Sequence, residues 1–512
     1  MKNNNDGHTD LAASETFAQF IRGLAVAYKH SAAVSMLAGD GTEQSLSFFE
    51  LERQSAELAK GLIAKGVGKG SRIGFIYANS PDFVVMFAAI ARAGGIAIPI
   101  STFIKANELV RVLRQSDVQG LITQRSLLGK DYVARLCEAL PSLTASTGGP
   151  LYCPDAPYLR WVVSTGAALP SGVRDMAWLK DAAADVSEDV LLAVEAEIHS
   201  TDQVMEIYTS GSMALPKGVR HTHGALMFRT HYIAPKVSTE RDARIVVPMP
   251  LFWVGGLMMF LMPNLLVGAT TICTESTQTS SRMAMGSVLA DDDLKAMPIP
   301  KTIWGLGMTE TLGPYSFADE FRAPGYPLCA PLDHIADRYE VRVADEGGNP
   351  VADGEVGEIQ IRGYALTPGL HKVERSAYFA DDGFFHTGDM GQRDGKRIHF
   401  VGRNGDMIKT ASTNVSPAEV ELELQQLPGV HSAYVVGIPD AERGQLVVAA
   451  VVAREGAELN FEVIEAELKK RLSSFKVPRA YCEIRRDEVP MLPSNKVARR
   501  QIESMMIEKL GR

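Results

Sequence analysis

Cysteine is scarce and scattered in this chain, which has five cysteines among its 512 residues. No two of them form a C-x-x-C pair, and none lies beside a cluster of histidines, so the pattern excludes a disulfide-stapled domain and a zinc finger. It is typical of reduced thiols that bind no metal. The cysteines are Cys137, Cys153, Cys273, Cys329 and Cys482.

An excess of positive charge is also missing. The formal net charge is -9 at pH 7, and no run of basic residues with interleaved aromatics offsets it, which argues against a nucleic-acid partner. Hydrophobic residues make up 46% and charged residues 22% of the chain, a balance typical of globular domains. The length suffices for about two or three domains, and a small molecule is the class of substrate that fits best.

A long apolar run suited to a membrane is missing as well. Residues 1–10 are polar and lack the apolar core of a secretory signal, so we expect a cytoplasmic protein. Residues 245–273 carry no charge, and their length alone admits a membrane span. Prolines and a glycine pair interrupt that stretch at Pro248, Pro250, Gly255–Gly256 and Pro263. Because a broken helix leaves backbone groups without partners in lipid, the pattern favours a buried strand-turn-helix unit without a membrane span.

Small hydroxyl residues, glycines and a lysine crowd into residues 208–219, which read YTSGSMALPKGV. Hydroxyls, backbone N–H groups and a lysine are the groups that bind polyphosphate. The second glycine of the common NTPase P-loop is absent, because Pro216 stands before Lys217 and Gly218 follows it. The apolar residues 205–208 predict a strand before the loop. These residues alone leave two interpretations open, another class of phosphate-binding loop or an ordinary Ser/Gly surface loop.

Helix and strand patterns alternate between residues 47 and 115. Ser47 and Glu50 form a capping-box pattern that predicts a helix ending near Gly66. The next predicted elements are a strand at 72–77, a helix at 81–92, a strand at 95–100 and a helix at 106–115. Because these strands are apolar on both faces, the pattern predicts a parallel sheet covered by helices on both sides.

The second half of the chain changes character twice. Short strands and glycine turns predict a β-rich subdomain at about residues 325–402. The polar turn 402–406, with two glycines, marks a domain boundary, and an α+β pattern follows it. The predicted fold class is therefore α/β, with a large N-terminal domain (1–403) of helix-covered sheets that includes the β-rich subdomain, and a small α+β C-terminal domain (404–512).

Two further stretches carry polar groups at a spacing that suggests a ligand. His221 and His223 lack a carboxylate or cysteine at ligand spacing, so the sequence does not predict a zinc site there. Residues 305–311 place Glu310 just after a glycine-rich turn, from which its carboxylate could hold Mg2+ on phosphate oxygens. A solvated loop glutamate is the other interpretation of Glu310.

Four stretches occur in an order that resembles the adenylate-forming acyl-CoA synthetases, the superfamily that includes luciferases and the adenylation domains of peptide synthetases. They are residues 208–219, 307–310, 385–389 (FHTGD) with 402–409, and 493–499. The resemblance implies that a carboxylic acid attacks the α-phosphate of ATP to give an acyl-adenylate, and that a CoA thiol then displaces AMP. It also implies ATP, Mg2+ and coenzyme A as cosubstrates and cofactors.

The resemblance implies roles for individual residues. The residues that would bind the β- and γ-phosphates are Thr209, Ser210, Gly211, Ser212 and Lys217. Glu310 would hold Mg2+, and Thr309, preceded by Gly307 in the same nucleotide-binding stretch, would lie near the α-phosphate. Asp389 would bind the ribose hydroxyls, with Arg403 as its companion.

The resemblance further implies that the small domain moves. Lys496 matches the lysine that bridges the substrate carboxylate and the α-phosphate, but it lies in the C-terminal domain while most other groups lie in the large one. The site is then complete only when the domains close. Gly405 occupies the family's pivot position, so we expect a mobile C-terminal domain with a hinge near residues 403–406.

Residues 250–256 (PLFWVGG) resemble the family's pocket-wall motif and suggest the class of acid. No aspartate stands there to pair with the amino group of an amino acid. An apolar wall with Trp253 and Gly255 as substrate contacts therefore predicts a fatty, alicyclic or aromatic acid. Trp253 as an ordinary core residue is the other interpretation.

Two alternatives to a CoA ligase stay open. Met213 and Ala214 replace the family's usual Thr and Gly, and the region around residues 276–301 is shorter than usual, which favours a nucleotide-binding relative with impaired catalysis. An adenylating enzyme that passes the acyl group to a carrier protein is the second. A homo-oligomer is compatible with the sequence.

Overall fold

A computed structural model describes the chain as two compact units. Unit 1 comprises residues 1–302, 307–315 and 363–377, and unit 2 comprises residues 303–306, 316–362 and 378–512. The described residues are 11–511 except 12, 105, 128, 147–148, 210–215, 238–239, 275–302, 305, 319–333, 396, 404–407, 411–412, 416, 473–475 and 493–496. The boundary predicted at residues 403–406 falls within unit 2 and stays a prediction.

Helices of the described residues fall where the sequence places apolar residues at helical spacing. They are α1 (Phe17–Tyr28), α2 (Phe48–Ala64), α3 (Pro81–Arg92), α4 (Ala106–Gln115), α5 (Tyr132–Ala139), α6 (Ser142–Ala145), α7 (Ala177–Ala182), α8 (Glu188–Ala196), α9 (His223–Val237), α10 (Val254–Gly256), α11 (Met262–Val267), α12 (Pro417–Gln425), α13 (Phe461–Arg471) and α14 (Arg499–Leu510). A π-helical turn, Leu257–Leu261, joins α10 to α11.

Strands of the described residues are mostly short. They are β1 (Ala32–Leu37), β2 (Glu43–Ser47), β3 (Arg72–Ile76), β4 (Ile96–Pro99), β5 (Gly120–Thr123), β6 (Ser126–Leu127), β7 (Lys130–Asp131), β8 (Trp161–Ser164), β9 (Val173–Asp175), β10 (Gln203–Thr209), β11 (Lys217–Thr222), β12 (Arg244–Val246), β13 (Thr270–Thr274), β14 (Ile303–Trp304), β15 (Gly307–Met308), β16 (Gly313–Pro314), β17 (Ser316–Ala318), β18 (His334–Ile335), β19 (Tyr339–Ala344), β20 (Val356–Gly363), β21 (Phe385–Asp394), β22 (Arg397–Arg403), β23 (Ile408–Thr410), β24 (Thr413–Val415), β25 (Val430–Asp440), β26 (Gly444–Ala453) and β27 (Ala480–Glu483).

The main sheet of unit 1 has the strand order β11-β10-β4-β3-β5-β8-β9. Its neighbours from β10 to β9 pair in parallel, and β11 is an antiparallel strand at one edge. A second sheet of unit 1 has the order β12-β13-β1-β2. The parallel sheet predicted from the alternating pattern is confirmed, and the predicted strand-turn-helix unit at residues 245–273 corresponds to β12, the helical turns α10 to α11, and β13.

Serine side chains cap helices α2 and α3 of unit 1, and the cap at Ser47 was predicted from the sequence. The Oγ of Ser47 accepts the backbone N–H of Glu50 at 3.2 Å and begins α2, and the Oγ of Ser80 does the same for Phe83 at the start of α3. Since α3 is apolar on nearly every side, from Phe83 to Ala91, it is buried against the main sheet. No helix among the described residues is long and apolar enough to cross a membrane.

A buried ionic network joins four helices of unit 1. Glu195 of α8 accepts from Nε of Arg92 (α3) at 2.6 Å and from Nε of Arg22 (α1) at 2.5 Å. Nη2 of Arg92 also donates to Glu52 of α2 at 2.8 Å. The Arg92 side chain is fully buried, and its Nη1 also donates to the Ser55 hydroxyl at 2.8 Å, so its charge depends on partners inside the protein.

We expect Glu195→Ala to lower the free energy of unfolding by about 2 to 3 kcal/mol, because it leaves Arg92 buried with half of its ionic contacts. This loss of unfolding free energy is smaller than the loss expected for a buried arginine with no ionic partner, because Glu52 still pairs with Arg92. Chemical unfolding followed by circular dichroism measures it. Glu188→Ala removes an exposed partner of Arg22 and is the matched control, with an expected change below about 1 kcal/mol. Equal losses in the two variants would contradict the assignment.

Unit 2 contains the β-rich region and the C-terminal residues. The strands β19-β20-β21-β22 form one sheet, with antiparallel pairing from β20 to β22, as the turn-rich sequence predicts. A second sheet has the order β24-β23-β26-β25, with β27 beside β26. Residues of β26 alternate between two cores, one with Leu424 and Leu468 of α12 and α13, the other with Ile502 and Met506 of α14. This α+β arrangement matches the pattern predicted beyond residue 404.

Candidate active site

The described ends of the predicted phosphate loop belong to the β10–β11 hairpin of unit 1. Thr209 and Lys217 form the last strand pair before the connecting residues, and both side chains are partly exposed. The residues between them that were assigned to phosphate binding, Ser210, Gly211 and Ser212, lie outside the described residues, as do Met213 and Ala214. The strand predicted at 205–208 is present, and Lys217 begins a second strand that was not predicted.

A buried carboxylate fixes the base of this hairpin. Glu206 is fully buried in β10, forms an ion pair with Arg72 of β3, and accepts a hydrogen bond from the Tyr208 hydroxyl at 2.5 Å. Burial and the Glu206 charge raise the pKa of Tyr208, so its hydroxyl remains a donor. A Cβ on Gly218 would lie 2.7 Å from the Tyr208 ring, so only glycine fits there. The role of Glu206 was not predicted, because the neighbouring residues in the sequence do not show that its partner is Arg72, 134 positions away.

The turn that carries Glu310 is held by local hydrogen bonds. Thr309–Thr311 is a single 3-10 turn between the paired strands β15 and β16. The Thr311 hydroxyl accepts the N–H of Met308 at 3.2 Å and donates to the carbonyl of Gly313 at 2.8 Å. A Cβ on Gly307 would lie 2.7 Å from the Cα of Pro314, which explains glycine at that position. The glycine-rich turn predicted around Glu310 is therefore a tight, fixed hairpin.

The structure brings the Glu310 turn and strand β11 together within unit 1. Residues 309–311 pack against β11, the strand that begins at Lys217. Among the described residues, no group of three or more His, Cys, Asp or Glu side chains is arranged to hold a metal ion. Mg2+ at Glu310 would fit the usual chemistry of this ion, with one protein carboxylate and the remaining ligands from phosphate oxygens and water.

His221 and His223 are structural residues of unit 1. Burial lowers the pKa of His221 to about 3, although the backbone of Thr309 opposes this shift, and lowers that of His223 to about 4. The Nδ1 of His223 accepts the backbone N–H of Phe17 at 3.1 Å, which joins α1 to α9. This bond requires a neutral imidazole.

We expect unit 1 to lose stability as the pH falls from about 6.5 towards about 4. Unfolded histidine titrates near 6.5, so in this window the unfolded chain binds protons that the native state does not. His223→Asn keeps an acceptor for Phe17 but cannot be protonated. Between about pH 7 and pH 5 it should lose about 2 kcal/mol less unfolding free energy than the wild type. Urea unfolding at both pH values tests this, and equal pH dependence in the two proteins would contradict it.

The predicted pocket wall is an aromatic cluster in unit 1. The ring of Trp253 lies 5.8 Å from that of Phe252 and 6.2 Å from that of Phe103, measured between centroids. Trp253 is only partly buried, and a Cβ on Gly255 would lie 2.7 Å from the Met249 methyl group. The Asn79 amide donates to the carbonyl of Met249 at 2.8 Å and fixes the turn before Trp253. Asn79 was not predicted as a residue of this site, because its partner is 170 residues away in the sequence.

The predicted ribose ligand lies in unit 2. Asp389 on β21 is 3% exposed, and the register of the sheet places Arg403 of β22 directly opposite it. The Glu358 carboxylate accepts hydrogen bonds from the N–H of Gly388 at 2.9 Å and from Nδ1 of His386 at 2.7 Å, so it shapes the irregular part of β21 before Asp389. The side chain of Arg403 and all of Gly405 and Lys496 lie outside the described residues.

Comparison with known proteins points to one family. Residues 24–304 match the family model described as AMP-binding enzyme, and residues 419–496 match the AMP-binding enzyme C-terminal domain. The feruloyl-CoA synthase of Amycolatopsis sp is 28% identical, with 90% of this chain and 93% of that protein covered. The crotonobetaine/carnitine–CoA ligase of Escherichia coli is 26% identical over 96% of this chain and 100% of its own.

Solved structures show the same fold. ATP-bound MatB from Rhodopseudomonas palustris superposes with a TM-score of 0.76 at 22% identity and covers 96% of this chain and 99% of its own. The anthranilate CoA ligase AuaEII, in complex with anthranoyl-AMP, gives a TM-score of 0.76 at 20% identity over 97% and 98% of the two chains. At this identity the likeness extends to the fold alone.

Proposed function

The chain belongs to the family of AMP-binding enzymes, and we propose that it activates a hydrophobic carboxylic acid with ATP and transfers the acyl group to coenzyme A. In the first step a carboxylate oxygen attacks the α-phosphorus, the bond to the β-phosphate oxygen breaks, and pyrophosphate leaves. In the second step the deprotonated sulfur of coenzyme A attacks the acyl carbonyl carbon, and AMP leaves.

The observation that carries the proposal is the packing of the Glu310 turn against the strand that begins at Lys217. Carboxylate and triphosphate are both anions, so the enzyme must offset their repulsion and stabilise the charge that develops on the phosphoryl oxygens. In this proposal Thr209 and Lys217 bind the outer phosphates, and Gly307 with Thr309 lies beside the α-phosphate. Glu310 binds Mg2+, which when present neutralises charge on the phosphate oxygens.

Four residues of unit 2 also have proposed roles. Asp389 accepts hydrogen bonds from the ribose hydroxyls with Arg403 beside it, a role supported by their opposed positions on β21 and β22. Lys496 donates to the substrate carboxylate and the α-phosphate, and Gly405 is the pivot of the domain motion. The roles of Lys496 and Gly405 rest on the sequence motifs.

The aromatic cluster supports a hydrophobic acid as the substrate. Phe103, Phe252 and Trp253 present apolar ring surface, and Trp253 is partly exposed. The feruloyl-CoA synthase, by its name, acts on an acid with an aromatic ring. We therefore propose an aromatic, alicyclic or fatty acid.

Acid-dependent exchange of pyrophosphate into ATP tests the proposed function. A panel of aryl, alicyclic, fatty, dicarboxylic and amino acids should give exchange with members of the first three classes only. Thioester formation is then measured with coenzyme A and, separately, with a carrier protein. ATP binding without exchange on any acid would indicate a nucleotide-binding relative, and transfer to the carrier protein alone would replace coenzyme A as the acceptor.

A further inference from the structure

A segment of fifteen residues, 363–377, returns to unit 1 between two parts of unit 2. Its residues 365–372, named the brace below, carry most of its polar contacts with the rest of unit 1. The sequence of the brace, ALTPGLHK, has neither the helical nor the strand period. Its conformation is therefore set by its partners in unit 1.

The brace runs along β11, the edge strand of the main sheet. The N–H of His371 donates to the carbonyl of Gly218 at 2.8 Å, and Leu370 forms an isolated antiparallel bridge with Val219. Nε of Arg220 donates to the carbonyl of Gly369 at 3.1 Å. The brace therefore covers the edge of the strand that begins at Lys217 and satisfies backbone groups that an edge strand leaves open.

One residue of the brace binds both sides of the proposed nucleotide site. The backbone N–H of Thr367 donates to the carbonyl of Glu310 at 2.8 Å. The Thr367 hydroxyl lies 2.8 Å from the carbonyl of Arg220, to which it can donate. Since Thr367 is 2% exposed, water does not compete for these bonds.

The hydroxyl of Thr367 also shapes the brace itself. It accepts the N–H of Gly369 at 3.2 Å, which closes a small turn. Gly369 has a φ of +153°, and a Cβ there would lie 2.6 Å from Nη2 of Arg220, so only glycine fits. The turn thus directs the Gly369 carbonyl towards Arg220 and the Thr367 N–H towards Glu310.

The far end of the brace is anchored to the body of unit 1. Nε2 of His371 lies 3.1 Å from Oδ2 of Asp117, and Nζ of Lys372 donates to Oδ1 of the same carboxylate at 2.6 Å. Asp117 lies between α4 and β5, and the buried Glu206 lies 3.9 Å from Nδ1 of His371. With this end fixed, a shift of Thr367 is resisted by the Lys372–Asp117 ion pair and by the contact between His371 and the same carboxylate.

We propose that Thr367 is a positioning residue for adenylation, which holds the backbone of Glu310 at a fixed place beside the strand that begins at Lys217. The inference rests on the proposed function, in which Glu310 binds Mg2+ and Lys217 binds the outer phosphates. Neither the backbone N–H nor the hydroxyl of Thr367 touches the nucleotide in this proposal. Its effect is to keep the carboxylate and the lysine at the separation that a triphosphate with Mg2+ requires.

Thr367→Val tests the proposal, because valine keeps the shape of threonine and removes the hydroxyl. We expect pyrophosphate exchange at subsaturating MgATP to fall about tenfold, the effect of one buried hydrogen bond, and the KM for the acid to stay within about twofold. Amide hydrogen exchange should be faster in residues 366–371. Thr367→Ser keeps the hydroxyl and should restore both readouts.

Calorimetric titration separates positioning from general loss of structure. For Thr367→Val, binding of ATP in EDTA should match the wild type, while the gain in affinity that Mg2+ adds should shrink about tenfold. Equal weakening with and without Mg2+, or no change in either, would overturn the proposal. If Thr367→Val does not fold, Arg220→Met is the second variant to measure. It removes the donor to the Gly369 carbonyl and should give the same pattern with a smaller change in each readout.

Wild-type protein that binds MgATP without exchange on any acid would refute the proposed function. The binding and hydrogen-exchange results would still decide the role of Thr367.

Discussion

Glu310→Gln should slow acid-dependent pyrophosphate exchange on the order of 10²- to 10³-fold, the usual cost of losing one group that stabilises transition-state charge. Glutamine keeps the size of the side chain and loses the negative charge that would hold Mg2+. The 3-10 turn should persist, because the substitution leaves in place the hydrogen bonds that the Thr311 hydroxyl makes to Met308 and Gly313. The loss should therefore fall on chemistry and leave folding intact.

Exchange rates measured over a range of free Mg2+ give the sharpest test of Glu310. A lost metal ligand raises the Mg2+ concentration for half-maximal rate, whereas a distorted turn lowers the rate at every concentration. Glu138→Gln changes an exposed helical glutamate and is the matched control, with an expected effect below about twofold. An unchanged Mg2+ dependence in Glu310→Gln would rule out the proposed role, and calorimetry with MgATP would show whether binding alone has suffered.

The parts of the fold that could be predicted are those that local sequence determines. Ser47 caps the amphipathic helix α2, and β4 is apolar on both faces. In both cases residues close together in the sequence determine the local structure. The main parallel sheet follows from the alternation of such elements. The β26 strand likewise shows its two buried faces in an unbroken apolar run from Leu446 to Val452.

Contacts between distant residues could not be predicted. Glu206 and Arg72 pair across 134 positions, and each alone resembles a solvated charge. The brace belongs to unit 1 only through partners such as Gly218 and Glu310, and its own sequence has no periodic pattern. The motifs predict Glu310 and Asp389 as site residues, whereas nothing local predicts Thr367, because its proposed role depends on the residues that the fold brings beside it.

Lys496→Ala should slow formation of the acyl-adenylate on the order of 10²- to 10³-fold and leave the second step almost unchanged. In the proposed mechanism the lysine charge bridges the attacking carboxylate and the α-phosphate, where negative charge accumulates in the first transition state. In the thioester step the α-phosphate leaves with AMP, and in the proposed domain motion the motif that carries Lys496 moves away with the C-terminal domain before that step. The same substitution should therefore act on one half-reaction.

The two half-reactions can be measured separately in the same preparation. Pyrophosphate exchange reports adenylation, and release of AMP from supplied acyl-adenylate and coenzyme A reports thioester formation. Lys470→Ala removes an exposed helical lysine of the same unit, which pairs with Glu467 at 2.5 Å, and should leave both rates within about twofold. Equal losses in both half-reactions for Lys496→Ala would place this lysine in general folding or in both steps, and would remove the reason to expect that the C-terminal domain alternates between two positions.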